Sequence, residues 1–438
     1  MLVTMWQLSI SIKEDTSAAA QPFVKTDSIR IAHATDTHYY PLNYCFNGEV
    51  EGTAYESALI TGTKLLVESS ALNAAGFRAI AERDEIPDYL FVTGDLTLDG
   101  ELQSHIEMAN LLRELQNTIR ENGNPDFQVL VSAGNHDLYN LDAGHYRSGA
   151  WQQNTRTTTR KDITKIYSSL GFPDLSDQEI EDYYATLPNV YFNHLPYEGN
   201  YVNSTTAANL NISYQYIENG KEAMADYTNG DMTYIVYAPD DYVFICIDDG
   251  LSSAELNHHV GGKIFDSTIA YLSDKSDDGL FTGKSLIGLL HHNTVPHFPL
   301  EGSLLKDFTT YGWYESSDFL ADLGIRYTFT GHMHSNDIAT RHSFNGNTIT
   351  DTETASLVGY KGGVRYSEIA RGTVGGKYAE TYSSVIRLTE DADFSYLFAN
   401  GFMSDYYLEY CNLDGFIRKN GSTYTCLDPS EYAVTKLF

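Results

Sequence analysis

The stretch Phe127-Gln128-Val129-Leu130-Val131-Ser132-Ala133-Gly134-Asn135-His136-Asp137 passes from a strand-like apolar run directly into a carboxamide, an imidazole and a carboxylate. The same transition occurs four more times. Ser28–Thr35 runs into Asp36-Thr37-His38, and Tyr89–Thr93 into Gly94-Asp95. Leu286–Leu290 ends at His291-His292, and Tyr327–Thr330 at Gly331-His332-Met333-His334. One such junction carries little information. Five in series predict that one end of a buried sheet is a polynuclear metal site, because ligands in α/β sheets gather beyond the carboxyl ends of the strands.

The donor types sharpen that expectation. Asp, Asn and His offer oxygen and imidazole nitrogen but no thiolate, a set suited to Mn, Fe, Zn, Ni or Co rather than to a structural cysteine-type zinc site. Asp36 and His38 are two residues apart, so an extended loop can turn both toward one pocket, and His332 and His334 repeat the spacing. Asp95 has two oxygens with which to bridge two cations, and Asn135 adds a neutral oxygen that keeps the total charge down.

Between these junctions the chain reads as alternating strands and helices, an α/β architecture. Glu101–Asn122 is the clearest helix, with Ile106, Ala109, Leu112, Leu115 and Ile119 at three- and four-residue spacing. Thr61–Arg83 is expected to be a second, interrupted by Gly76. Residues 1–26 read as a tail and 27–390 as the catalytic domain. Residues 138–241 hold 13 of the 33 tyrosines without a clean period, and are expected to be an inserted cap over the site. Later elements are expected around Tyr242–Ile247, Asp266–Ser273 and Ser316–Leu323. Strands follow around Thr348–Thr350 and Ser383–Leu388, joined by a Gly-rich connection. Residues 391–438 read as an appended extension of mixed character.

The bulk properties restrict partners. A net charge of −31 over 438 residues repels a polyphosphate backbone, and no dense Lys/Arg cluster offsets it, so a long nucleic-acid groove is not expected. Bound divalent cations would still admit a small phosphoester by reversing the local field. No apolar run is long enough for a transmembrane helix. The mildly apolar Met1–Ile12 lacks the basic leader of a signal peptide. Four cysteines are too few for a disulfide scaffold: Cys246 reads as a core thiol, and Cys411 and Cys426 are as readily free as paired.

The ordered series D-x-H, G-D, G-N-H-D, a strand-terminal His and G-H-x-H resembles the calcineurin-like metallophosphoesterase superfamily over Asp36 to His334. The spacings agree: 59 residues from Asp36 to Asp95, 40 more to Asn135, and 41 from His291 to His332. The resemblance implies a four-layer αββα sandwich. It places Asp36, His38 and His334 on one metal, Asn135, His291 and His332 on the other, and Asp95 between them. It further implies in-line attack on phosphorus by a metal-bridging hydroxide, with His136 binding no metal and assisting the leaving group. Asp137 then either orients that imidazole or serves as a turn residue.

Finer marks concern the branch. Purple acid phosphatases carry a Tyr three residues after the bridging Asp, where this chain has Leu98. Gly94–Glu101 with Ser104-His105, and His291–Phe298, resemble bacterial exported cyclic-nucleotide-phosphodiesterase-like members, although Asn293-Thr294 replaces the Pro-Pro of many relatives. The implied activity is hydrolysis of a small phosphodiester, with cyclic nucleotides the leading candidates and an extracytoplasmic location. A phosphomonoesterase or nucleotidase on the same core is the alternative, and a noncatalytic scaffold a more distant one.

Other residues receive plainer readings. Of the His291-His292 pair the first is preferred as ligand, since it ends the apolar run. His33 is expected to be a satisfied core histidine, His105 a brace near the site, His297 a residue in reach of substrate, and His258-His259 a solvated loop. Tyrosines of the insertion either stack on a base, with Arg147, Arg156 or Arg160 meeting phosphate or ribose, or simply suit an amphipathic cap. The Asn203, Asn211 and Asn420 glycosylation patterns are expected by chance in a chain this rich in Asn, Ser and Thr.

Overall fold

The computed structural model describes residues 21–432, excepting positions 63, 155, 173, 187–220, 224–231, 254–257, 360–361, 411 and 430. The strand Phe23–Ala34 organises the first sheet. Its apolar second half is buried and runs parallel to Tyr89–Thr93, which in turn runs parallel to Gln128–Ser132. On its other side it pairs antiparallel with Gly363–Val374, and that strand with Lys377–Leu388. The helices Ser69–Ala81 and Leu102–Glu121 connect the parallel strands and pack on each other and on this sheet.

The second sheet has the order Asp337–His342, Thr348–Glu353, Ile325–Thr330, Ser285–Leu289, Tyr242–Cys246, Tyr234–Tyr237, Lys221–Ala223. Alternation along Tyr242–Cys246 buries both of its faces. Tyr242, Phe244 and Cys246 enter the core between the sheets. Val243 and Ile245 enter a second core with Leu272 of the helix Asp266–Asp277 and Leu320 of the helix Trp313–Leu323. Phe91 of the first sheet meets Phe244 and Phe329 of the second edge-on, at centroid separations of 5.1 and 5.3 Å. The layers thus run helices, sheet, sheet, helices.

Several expectations change. Thr61–Arg83 is not one interrupted helix. Helices span Ala54–Thr61 and Ser69–Ala81 with a loop between, and Gly76 sits within the second. A Cβ on Gly76 would lie 2.7 Å from Leu357 Cδ1, so this glycine permits a close approach. The first strand begins at Phe23, inside the expected tail. The insertion does not extend to 241, because Tyr234–Tyr237 is an apolar strand of the second sheet, paired with Tyr242–Cys246. The Gly-rich connection after residue 350 is instead the 12-residue strand Gly363–Val374. Its interior Arg365 is buried yet satisfied by Thr354 Oγ1 and the Glu353 carbonyl, at 2.8 and 2.7 Å.

The C-terminal segment forms a small three-stranded sheet and two short helices that share the main core through Leu397, Phe402 and Tyr432. The hydroxyls of Tyr407 and Tyr432 both donate to Glu68 Oε1, at 2.9 and 3.0 Å. Cys411, and with it any pairing to Cys426, lies outside the described residues, as do Asn203 and Asn211.

Candidate metal centre

The five loops converge at one edge of the two sheets because backbone pairing continues past the strand ends. Asp36 N donates to Gly94 O at 3.1 Å and His38 N to Asp95 O at 3.0 Å, which extends the parallel pairing of the first two loops. Gly331 N donates to His291 O at 2.9 Å in the second sheet. The sheets are then tied together: His332 N donates to Asp36 Oδ2 at 3.0 Å, and His291 Nδ1 meets Thr93 O at 2.8 Å.

Two glycines make this approach possible. A Cβ on Gly134 would lie 2.3 Å from Asp95 Oδ1, and one on Gly331 would lie 2.0 Å from Thr35 Oγ1 and 2.4 Å from Asp36 Oδ2. The backbone is also held in unusual conformations. Asp36, His38, Asp95, His332 and His334 all have φ between 37° and 66°. Non-glycine residues seldom occupy this left-handed region, and strain of this kind concentrates at functional sites.

Asp36, His38, Asp95 and His334 bring one donor atom each within 4.8 Å of one another. His38 Nε2 lies 3.1 Å from His334 Nε2, 3.9 Å from Asp95 Oδ2 and 4.0 Å from Asp36 Oδ1. The other carboxylate oxygen of Asp95 faces a second group: Oδ1 is 3.4 Å from His291 Nε2, which is 3.1 Å from Asn135 Oδ1. The His291 and His332 rings are 5.0 Å apart. All seven residues that the motifs single out are therefore together, with Asp95 between the two groups. His334 alone is solvent-exposed, which opens the first group to the exterior.

The donor set fits cations. Asp36 and Asp95 are buried carboxylates, costly unless matched by positive charge. Asp36 Oδ1 is buried without a hydrogen bond. Burial holds His38 and His332 well below the usual histidine range, which keeps them neutral with lone pairs to offer. Burial also disfavours a charged His291, but Asp95, Asp36 and Asp249 outweigh it and push this group up to about 10. The pocket field calls for positive charge.

His292 also lies within reach of His291 and His332. Its ring nitrogens are already engaged, Nδ1 with Asp249 Oδ2 at 3.1 Å and Nε2 with Val260 O at 2.8 Å, so it is a poor ligand. Its buried neighbours Asn293 and Thr294 bond to Glu353 and Asp351 of the second sheet.

His136 stands beside the first group, its ring 5.2 Å from that of His38. Its Nδ1 faces Asp99 Oδ1 at 3.0 Å. Asp137 takes the turn alternative: its carboxylate accepts from the backbone N–H groups of Gly134, Leu96 and Thr97 at 2.8, 3.1 and 3.1 Å. Two further residues reach His136, both missed in the sequence. The Lys64 ammonium is 3.0 Å from His136 Nε2, and the ring of His258, expected in a solvated loop, is 5.4 Å from the His136 ring.

A cavity of about 340 Å³ opens on this side, with Lys64, Asp99, His136, Asp142, Tyr146 and Trp151 in its wall. The arginines considered for substrate turn inward: Arg147 to Asn43 O, Arg156 to Asp162, and Arg160 to Asp248. Three described tyrosines of residues 138–241 are internal as well. Tyr167, Tyr183 and Tyr234 are buried, their hydroxyls on His105, Asp162 and Val131 O. His33 is a core histidine between Thr93 and Thr354, His105 also contacts Asp137 O and Thr97, and His297 meets Asp337 outside both ligand groups.

Comparison with known proteins gives a matching family. The calcineurin-like phosphoesterase model matches residues 29–336, which include all seven candidate ligands and His136. No curated protein matches the chain. Among solved structures, a purple acid phosphatase isolated from yellow lupin (Lupinus luteus) seeds is similar over 84% of this chain and 55% of that one, at 12% identity and a TM-score of 0.34. The chain thus spans about half the length of that phosphatase.

Proposed function

Because the chain belongs to the calcineurin-like phosphoesterase family, we propose that it is a metal-dependent hydrolase of small phosphodiesters. The observation that carries this reading is the pair of donor groups sharing Asp95, with His136 beside them. In it, Asp36, His38 and His334 would hold one cation, Asn135, His291 and His332 the other, and Asp95 would serve both. Mn, Fe or Zn suits these ligands. Two such cations would supply Lewis-acid charge to the phosphoryl oxygens and a water acidic enough to act as nucleophile at neutral pH.

The remaining work falls to the chain's own residues. His136 donates a proton or hydrogen bond to the leaving-group oxygen from the side facing the cavity. Asp99 fixes its ring through Nδ1, so that Nε2 points at the reacting group. The carboxylates of Asp99 and Asp142 in the cavity wall disfavour further negative charge there, which supports an uncharged alcohol as leaving group. Tyr146 and Trp151 give that alcohol flat apolar surface, which supports a nucleoside, and a cyclic nucleotide is the leading substrate in this reading.

The metal-loaded protein should hydrolyse bis-p-nitrophenyl phosphate well above p-nitrophenyl phosphate. The reverse ratio would replace the diesterase by a monoesterase on the same donor groups.

A further inference from the structure

Lys64 lies in the loop between the helices Ala54–Thr61 and Ser69–Ala81. The loop is anchored: Leu65, Leu66 and Val67 are buried, and Ser69 Oγ donates to Leu66 O and accepts from Tyr40 N. This holds a long side chain at the edge of the donor groups. The Lys64 ammonium lies 3.0 Å from His136 Nε2, and 3.2 and 3.1 Å from Nδ1 and Nε2 of His38. The ammonium thus stands at the edge of the first donor group, between His38 and His136.

The ammonium is placed among imidazoles instead of against a carboxylate. Among the described residues, no carboxylate oxygen comes within ion-pair distance of Nζ. Asp95, Asp99, Asp36 and Asp137 attract the enclosed ammonium from beyond that distance, and none of them pairs with it directly, which leaves its N–H groups for a ligand. Lys64 also lines the cavity, on the same wall as His136. Lysine has three N–H donors, and while His136 carries its Nε2 proton for the leaving group it cannot accept from Nζ, so the ammonium turns its N–H groups to an incoming oxygen.

We propose that Lys64 binds substrate: its ammonium takes a non-bridging phosphoryl oxygen on the leaving-group side, between His38 and His136. This rests on the phosphoesterase reading and adds to it a protein-borne cation beside the metal-held ones. Lysine binds phosphate as a point charge, which suits an oxygen whose exact position varies among leaving groups.

The test is calorimetric titration of inorganic phosphate into Mn²⁺-saturated protein, with metal content measured on the same samples, for wild type, Lys64→Met and Lys64→Arg. Lys64→Met should keep the wild-type metal content and bind phosphate about 10–100-fold more weakly, the range for one lost charged hydrogen bond. Lys64→Arg should recover most of that loss. Unchanged phosphate affinity in Lys64→Met, or a loss that merely follows a missing metal, would overturn the assignment. The two readings separate in the wild type. Metal and phosphate binding without ester hydrolysis would remove the hydrolase and leave Lys64 as an anion-binding residue. Hydrolysis with equal phosphate affinity in wild type and Lys64→Met would remove Lys64 alone.

Discussion

Asp99 Oδ1 lies 3.0 Å from His136 Nδ1, while the carboxylate next in sequence to His136, Asp137, is taken up by three backbone N–H groups. The imidazole is thus oriented from the loop of the second motif, four residues after Asp95. Asp99→Asn should keep full metal content and lower kcat at least tenfold, with a larger deficit for esters of less acidic alcohols, which depend most on a correctly held donor. Leaving-group series on both proteins check this. Equal slopes would remove Asp99 from that role.

His136→Gln removes the imidazole and leaves every candidate ligand in place. Metal content should match wild type, and turnover should fall by about 10²–10⁴-fold, the range for a lost general acid. Wild-type rates with a poor leaving group would rule the role out.

Gly331→Ala would place a methyl group 2.0 Å from Thr35 Oγ1 and 2.4 Å from Asp36 Oδ2. Asp36 must move, and with it the backbone N–H contact from His332. Stability should drop by about 1–3 kcal/mol, as overpacking does, and metal affinity should weaken with it. Thermal melting with and without added Mn²⁺ reads both effects.

Glu107 gives a pH dependence remote from the metal ligands. Burial pushes its carboxyl up to about 7, despite hydrogen bonds from Gln103 and Tyr39. The unfolded chain releases this proton near the ordinary value of 4.5. Between these values the folded state binds more protons, so stability falls as pH rises through the window and the loss is complete above it. Urea midpoints at pH 5 and pH 8 should differ less in Glu107→Gln than in wild type. An equal difference would assign the dependence elsewhere.

The strand ends were legible in the sequence because each combines a buried β-type run with polar residues that a core would not tolerate. Asn135, His291 and His332 stand out for that reason. What tertiary contact alone determines was not legible. Lys64 lies inside the helix expected over Thr61–Arg83 and 72 residues from His136, and only the helix–loop–helix path brings them together. Asp99 lies just before the expected helix Glu101–Asn122, and Asp137 competed with it by adjacency to His136. The strand Gly363–Val374 was hidden by Arg365, Glu368 and Arg371, charges that a two-sided buried strand rarely carries. Tyr234–Tyr237 was absorbed into a Tyr-rich stretch with no clean period, though its four residues are all strong strand formers.

The proposed chemistry depends on Asp95 being shared by two cations. Metal counting on Mn²⁺-saturated wild type, Asn135→Ala, His332→Ala and Asp95→Ala, with bis-p-nitrophenyl phosphate hydrolysis on the same samples, tests it most directly. Two metal ions per wild-type chain are expected, with a partial loss in Asn135→Ala and His332→Ala, and less than one ion with no hydrolysis in Asp95→Ala. Two retained ions and continued hydrolysis in Asp95→Ala would contradict it.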